Sequence, residues 1–197
     1  MRLGWFLKSL PWLFGLVLAL PGGSTAAEFS ARMMLRDGPK TTPGRIYVKP
    51  DKMRQEFLDD EGHTITIVRK DKRLIWVLLP RDRSYLEMPL KTKLPGQFLE
   101  IPPEALSKRK LGVETVNGYA TERYQAIIPG GAGGPTVQTF WVCGKLGMPL
   151  KMECKERNFG VEYKDIKEGL VPDRLFEVPP GFRKISQLSG DSLKEWD

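Results

Sequence analysis

The sequence predicts a mainly β protein, one antiparallel meander that curls into a barrel or half-barrel. Three observations carry this. Apolar and polar residues alternate with a period of two along most of the chain, Gly/Pro/Asp turns punctuate it at roughly 8–12-residue spacing, and one stretch alone reads as partly helical.

The first 27 residues stand apart. Arg2 and Lys8 form a positive start, and Leu10 to Leu20 is an uncharged apolar run. Pro21-Gly22-Gly23 then breaks any helix, and Ser24-Thr25-Ala26-Ala27 supplies the small residues of a cleavage site. A helix needs roughly 20 apolar residues to span a bilayer, so the run is too short to anchor. The expectation is a cleaved export signal over 1–27, one domain over 28–186 and a polar tail over 187–197. About 170 residues remain after cleavage, enough to bury a core. Net charge falls from +7 to +5, the two lost cations being Arg2 and Lys8. The short runs Arg69-Lys70-Asp71-Lys72-Arg73 and Lys108-Arg109-Lys110 read as solvated turns, so no nucleic-acid partner is expected. Mild basicity favours a transient approach to an anionic membrane surface.

Within the domain, Phe29, Ala31, Met33 and Leu35 alternate with Ser30, Arg32 and Arg36. Gly44 to Lys49 forms the next strand, and Pro50-Asp51 turns it into Met53, Gln55 and Phe57. Asp59 to Gly62 is a hairpin turn leading to Ile65 and Ile67. Asp71-Lys72 precedes Leu74 to Leu79, and Pro80 to Arg83 precedes Tyr85 to Met88. Pro103 to Lys108 begins as helices begin, with proline and then an acid in the first turn. That places a helix within Pro89–Leu111, lying across the sheet. Asn117-Gly118 tolerates positive φ and starts the strand Tyr119 to Ile128. The glycine-rich loop 130–135 lacks the context of a phosphate cradle. Val137, Thr139, Trp141 and Cys143 share one face, as do Leu150, Met152 and Cys154. Phe159, Val161 and Tyr163 follow.

If the two cysteine strands pair, Cys143 and Cys154 lie opposite each other, and outside the cytoplasm a disulfide is expected of them. Catalytic groups are scarce. The one histidine, His63, follows a turn and reads as a surface residue, and with one histidine no triad or zinc set assembles. No cofactor, no metal and no enzymatic activity are expected. Leu74 to Leu79 is apolar on both faces and must be covered twice. It sits either in a filled barrel or beside an apolar cavity that accepts an acyl chain. Met33, Met53, Met88, Met148 and Met152 suit both.

Gly44-Arg45-Ile46-Tyr47-Val48-Lys49-Pro50, Met53 to Phe57, and Asp71-Lys72-Arg73-Leu74-Ile75-Trp76 through Pro80 together resemble the LolA-like superfamily of exported lipoprotein carriers. Gly112 to Tyr119, Trp141-Val142, Gly147 to Met152 and Pro172-Asp173-Arg174-Leu175-Phe176-Glu177-Val178-Pro179 resemble lipoprotein-sorting-like relatives in it. The resemblance implies a periplasmic, unclosed half-barrel with a helical lid over an apolar hollow. It also implies binding of a lipid or lipoprotein acyl chain without chemistry. This chain begins directly on a strand, and Lys49 stands where the carrier has a lid-contacting arginine. The expected lining is Met53, Phe57, Ile65, Ile67, Leu74, Trp76, Leu78, Trp141 and Met152, each on the apolar face of its strand. The alternative is an interaction or stress-sensing module that docks an envelope protein and binds no lipid. An open hollow favours the first, and a hollow filled by its own side chains favours the second.

Overall fold

Turn chemistry sets the course of the chain in the computed structural model, which describes residues 28–59, 62–90, 100–130 and 134–186. The expected export signal and C-terminal tail lie outside the described residues. Left-handed turn residues close the hairpins: Gly38, Arg73, Arg83 and Asn158 all have positive φ, and Asn117-Gly118 does so at both positions of a two-residue turn. The strands they join are β1 (Phe29–Asp37), β2 (Lys40–Lys49), β3 (Lys52–Asp59), β4 (Gly62–Arg69), β5 (Leu74–Leu79) and β6 (Ser84–Pro89). The second half holds β7 (Ser107–Val116), β8 (Tyr119–Ile128), β9 (Thr136–Cys143), β10 (Met148–Cys154) and β11 (Phe159–Glu168), and β12 (Arg183–Lys184) ends the fold.

All twelve belong to one sheet in the order β12-β6-β5-β4-β3-β2-β1-β11-β10-β9-β8-β7, with β6 and β7 never meeting. Two meanders thus join through β1 and β11, and the sheet stays unclosed, as an unclosed β-barrel. It rolls so that both halves contribute to one core. Phe29, Met33, Ile46, Met53, Val68 and Ile75 come from one half, and Trp141, Met148, Leu150, Val161 and Tyr163 from the other.

Among the described residues of Pro89–Leu111 the expected helix is absent. Pro103 and Glu104 occupy a turn closed by the Ala105 N–H donating to the Pro102 carbonyl at 3.1 Å, and Ser107 and Lys108 already belong to β7. Hairpin pairing with β8 takes those residues into a ladder that runs on to Val116, which outweighs a weak helix start. The described part of the segment still lies across the sheet: Ile101 and Ala105 pack on Ala126, Phe140 and Met152. The helical turns among the described residues are short 3-10 ones, Pro80–Asp82, Lys155–Arg157 and Asp173–Phe176.

The expected disulfide is also absent, and both cysteines are buried and free. In the β9–β10 hairpin Cys143 faces Met148, while Glu153 faces Thr139. Cys154 is therefore about five residues further along, roughly 17 Å from Cys143 at about 3.4 Å per residue. A disulfide needs Cα atoms within about 7 Å. A bulge between Pro149 and Lys151 adds a second obstacle. It leaves Leu150 with Met148 in the main core but turns Met152, and with it Cys154, to the opposite face.

Candidate binding surfaces

The interior of the rolled sheet is the first surface to weigh. Phe29, Met33, Ile46 and Leu150 are wholly buried there, with Met53 and Tyr163 nearly so. Even its polar member, Gln55, is buried and donates to the Met33 sulfur at 3.7 Å. Gly44 lets β2 approach so closely that a methyl in its place would fall 2.7 Å from the Glu56 carbonyl. The opening that reaches this interior holds about 70 Å³, between Val48, Met53 and Val68 on one side and Leu146 and Met148 on the other. Lys49, Lys52 and Lys70 stand at its rim.

A strap covers the second surface, the outer face of β4 and β5. Here Ile65, Ile67, Trp76 and Leu78 point away from the interior because β4 pairs Ile65 with Glu56 and Ile67 with Arg54. The chain after β11 crosses them with Val171, Leu175, Phe176, Val178 and Phe182. Phe176 is wholly buried, a burial that stabilises by about 1.5–3 kcal/mol. Cations fasten the strap. Lys49 donates to Asp173 at 3.1 Å and to the Val171 carbonyl at 3.2 Å, and Lys52 reaches the same carboxylate at 3.2 Å. Arg54 donates to the Leu175 carbonyl, and Arg69, 3% exposed, to the Phe176 carbonyl, each at 3.0 Å. The Asp71 carboxyl, bonded by Arg69, is held down to about 2. Lys184 and the Trp76 indole N–H both bond Glu87 and lower its pKa. Lys49, matched by resemblance to a lid contact, thus fastens the C-terminal strap.

The nine expected lining residues therefore fall on three surfaces. Met53, Phe57 and Trp141 face the interior. Ile65, Ile67, Leu74, Trp76 and Leu78 lie under the strap. Met152 lies under residues 101–105 on the outer face of the second half. The cover that β5 needs on its outer face is the strap, and the signal for it was present in the apolar residues of Pro172 to Pro179.

Of the open grooves among the described residues, two hold site candidates. One, about 630 Å³, runs over the outer face of β1 to β4 and includes Arg32, Arg45, Tyr47, Glu56 and His63. His63 is half-buried there, and its neighbour Glu56 is engaged by the Arg54 Nε at 2.5 Å. No cluster of three metal-ligating side chains occurs among the described residues. The other groove, about 450 Å³, lies on the inner face of β7 to β10, with Leu111, Val137 and Trp141 among its apolar walls. In it the Trp141 indole N–H donates to Glu114 at 2.9 Å, Arg123 pairs with the same carboxylate at 3.1 Å, and Lys151 covers the ring at 4.5 Å. These partners hold Glu114 below the usual carboxylate range, the Trp141 bond contributing most.

Solved structures share this architecture. A conserved, uncharacterized protein of Thermus thermophilus superposes with a TM-score of 0.56 at 11% identity, over 82% of this chain and 91% of that one. The MucA/MucB complex of Pseudomonas aeruginosa gives 0.50 at 14% identity, over 77% of this chain and 56% of that one. A LolA superfamily protein from Nitrosomonas europaea gives 0.40 at 13% identity, over 77% and 90%. At these identities the likenesses with TM-scores of 0.50 and above are of fold alone. A search of the curated proteins found no match. The family model described as "Domain of unknown function (DUF4412)" matches residues 31–147, more than half of the 197, and the chain belongs to that family.

Proposed function

We propose that this protein is a non-catalytic, periplasmic interaction module that docks a protein partner. The filled interior carries the reading. Pockets for small molecules hold about 300–1,000 Å³, whereas the opening between the two halves of the core holds about 70 Å³. The 450 Å³ groove on the inner face of β7 to β10 is large enough, but Arg123, Glu153, Lys155 and Glu156 in its walls suit no acyl chain. An acyl chain would have to displace Met53, Met148 and their neighbours from a close-packed core, at a cost no surface contact here offsets. The fold it shares with the MucA/MucB complex, a protein–protein assembly, supports the same reading.

A lipid or acyl-chain carrier is the second reading, and one observation favours it. The small opening is framed by two flexible methionines and rimmed by three lysines, an arrangement that suits an anionic headgroup above a yielding apolar wall. In that reading Met53, Phe57 and Trp141 line the opened interior. The strap would have to lift for Ile65, Ile67, Leu74, Trp76 and Leu78 to join them, and residues 101–105 for Met152.

Mass spectrometry of an organic extract separates the two. The mature protein, purified from the periplasm without detergent, is expected to carry no stoichiometric lipid and to take none from phospholipid vesicles. Crosslinking in intact cells is expected to give a discrete protein adduct. A stoichiometric lipid that disappears in Met53→Asp, with folding retained, would replace the first reading by the second.

A further inference from the structure

We propose that the outer edge of β7 is a docking strand for an extended, acidic segment of a protein partner, which joins the sheet as a further strand. The proposal rests on the partner-binding reading and names the chemistry of the partner.

The two ends of the sheet are treated differently. At one end the chain covers its own edge: β12 pairs in parallel with β6, and Arg183 and Ile185 donate to the carbonyls of Arg83 and Tyr85. At the other end, among the described residues, β7 pairs with β8 alone, and nine of its ten residues are exposed or half-exposed. Which groups face outward follows from the ladder. The Ile127 carbonyl accepts from the Leu106 N–H, so Ile127 turns its polar groups toward β7, where Ser107 is its partner. Alternation then directs the N–H groups of Ser107 and Arg109 at β8 and those of Lys108 and Lys110 outward.

Charge specifies what pairs there. Ser107 to Lys110 carries three cations and no acid. Lys110 is matched by Glu122, but Lys108 sits over the neutral Tyr124 ring at 4.4 Å and Arg109 donates to the neutral Gln125 at 3.1 Å. An incoming strand that brings carboxylates meets two cations whose direct contacts are neutral, Lys108 sensing Glu122 only through space. A second copy of this chain is a poor occupant. Pairing two β7 strands about their middles would run through the bulge between Lys110 and Gly112 in both copies, and pairing their first halves would set cation against cation. The strand also has somewhere to place side chains. On the inner side Leu111 borders the 450 Å³ groove that holds Arg123 and Trp141, and on the outer side Val113 is 71% exposed.

The test is to pan the purified mature chain against displayed random linear peptides. Enriched peptides are expected to be rich in Asp and Glu, and a synthetic copy to slow amide exchange at Lys108 and Lys110. Lys108→Pro removes an outward donor and no β8 bond, and Arg109→Glu reverses a charge. Each is expected to weaken the synthetic peptide about tenfold, the scale of one lost charge-assisted contact, while Lys108→Thr, which keeps the N–H, weakens it less. Arg109→Glu keeps the test valid should the proline variant not fold. Enrichment of neutral or basic peptides, or indifference to both variants, would overturn the edge assignment. So would a dimer of this chain abolished by Lys108→Pro. Absence of any enriched peptide would overturn it alone if crosslinking in cells still gives a protein adduct, and the partner reading with it if crosslinking gives none.

Discussion

Arg69, at the end of β4, donates to the carbonyl of Phe176 at 3.0 Å, more than a hundred residues away in sequence. The same guanidinium bonds Asp71 at 2.6 and 2.8 Å and Glu177 at 2.5 Å, and it lies over the Trp76 ring at 5.7 Å. One buried cation therefore ties the strap to the face it covers. Arg69→Met should cost about 1.5–3 kcal/mol, the range of a hydrogen bond to a charged group. The larger cost of an orphaned buried ion does not apply, because the Asp71 and Glu177 side chains remain 29% and 48% exposed and rehydrate. Urea denaturation followed by tryptophan fluorescence measures this. A change below about 0.5 kcal/mol, the usual spread of surface substitutions, would show that apolar contact alone holds the strap.

The acids around the strap give a pH dependence of definite sign. Arg69 holds Asp71 down to about 2, Lys49 and then Lys52 lower Asp173, and Lys184 and then Trp76 lower Glu87. At Glu177 burial works in the other direction but is outweighed by Arg69 and Lys72. Each carboxyl is more acidic folded than unfolded, so its contribution is present above the unfolded value, near about 4, and is lost as pH falls through the folded value. Stability should therefore decline from about pH 4 toward about pH 2. Asp71→Asn should flatten that decline while lowering stability at neutral pH. Denaturation at stepped pH reads both, and an Asp71→Asn profile parallel to the parent would remove Asp71 from the account.

The cysteines give a chemical check on the register of the second half. Cys143 faces Met148 at one end of the β9–β10 hairpin and Cys154 faces Phe159 at the other. Protein prepared without reductant and then unfolded should show two reactive thiols per chain, and none while folded, since both are buried. Replacing both by serine would cost stability through burial of hydroxyls, not through loss of a crosslink. Absence of thiols in the unfolded, unreduced protein would mean that β10 pairs in another register.

Strand positions were legible in the sequence because alternation and turn residues are local signals. Tyr119–Ile128 and Leu74–Leu79 end where the pattern ends. The face that each strand presents was not legible. Met53 and Ile67 both sit on apolar faces, yet Ile67 pairs with Arg54, the neighbour of Met53, and so points the other way. Two apolar surfaces, one inside the roll and one beneath the strap, look alike until the register is known. The bulge at Pro149 hid the divergence of Leu150 from Met152 for the same reason. β7 was missed because an exposed edge strand with Lys108-Arg109-Lys110 has no apolar alternation to read.

Gly44 tests the feature on which the functional reading depends. Its missing side chain is what allows β2 to lie against Glu56, Met33 and Phe57. A Cβ there would meet the Glu56 carbonyl at 2.7 Å, the Met33 methyl at 3.1 Å and the Phe57 ring at 3.2 Å. The Met33 methyl can swing aside, but the carbonyl is backbone and is held in the β3 ladder. Gly44→Ala should therefore destabilise by about 1–3 kcal/mol, the cost of overpacking a core that is already full. If the substitution is accepted at no cost, β2 and β3 separate easily at this point. The interior would then open without strain, and the carrier reading would gain what the partner reading loses.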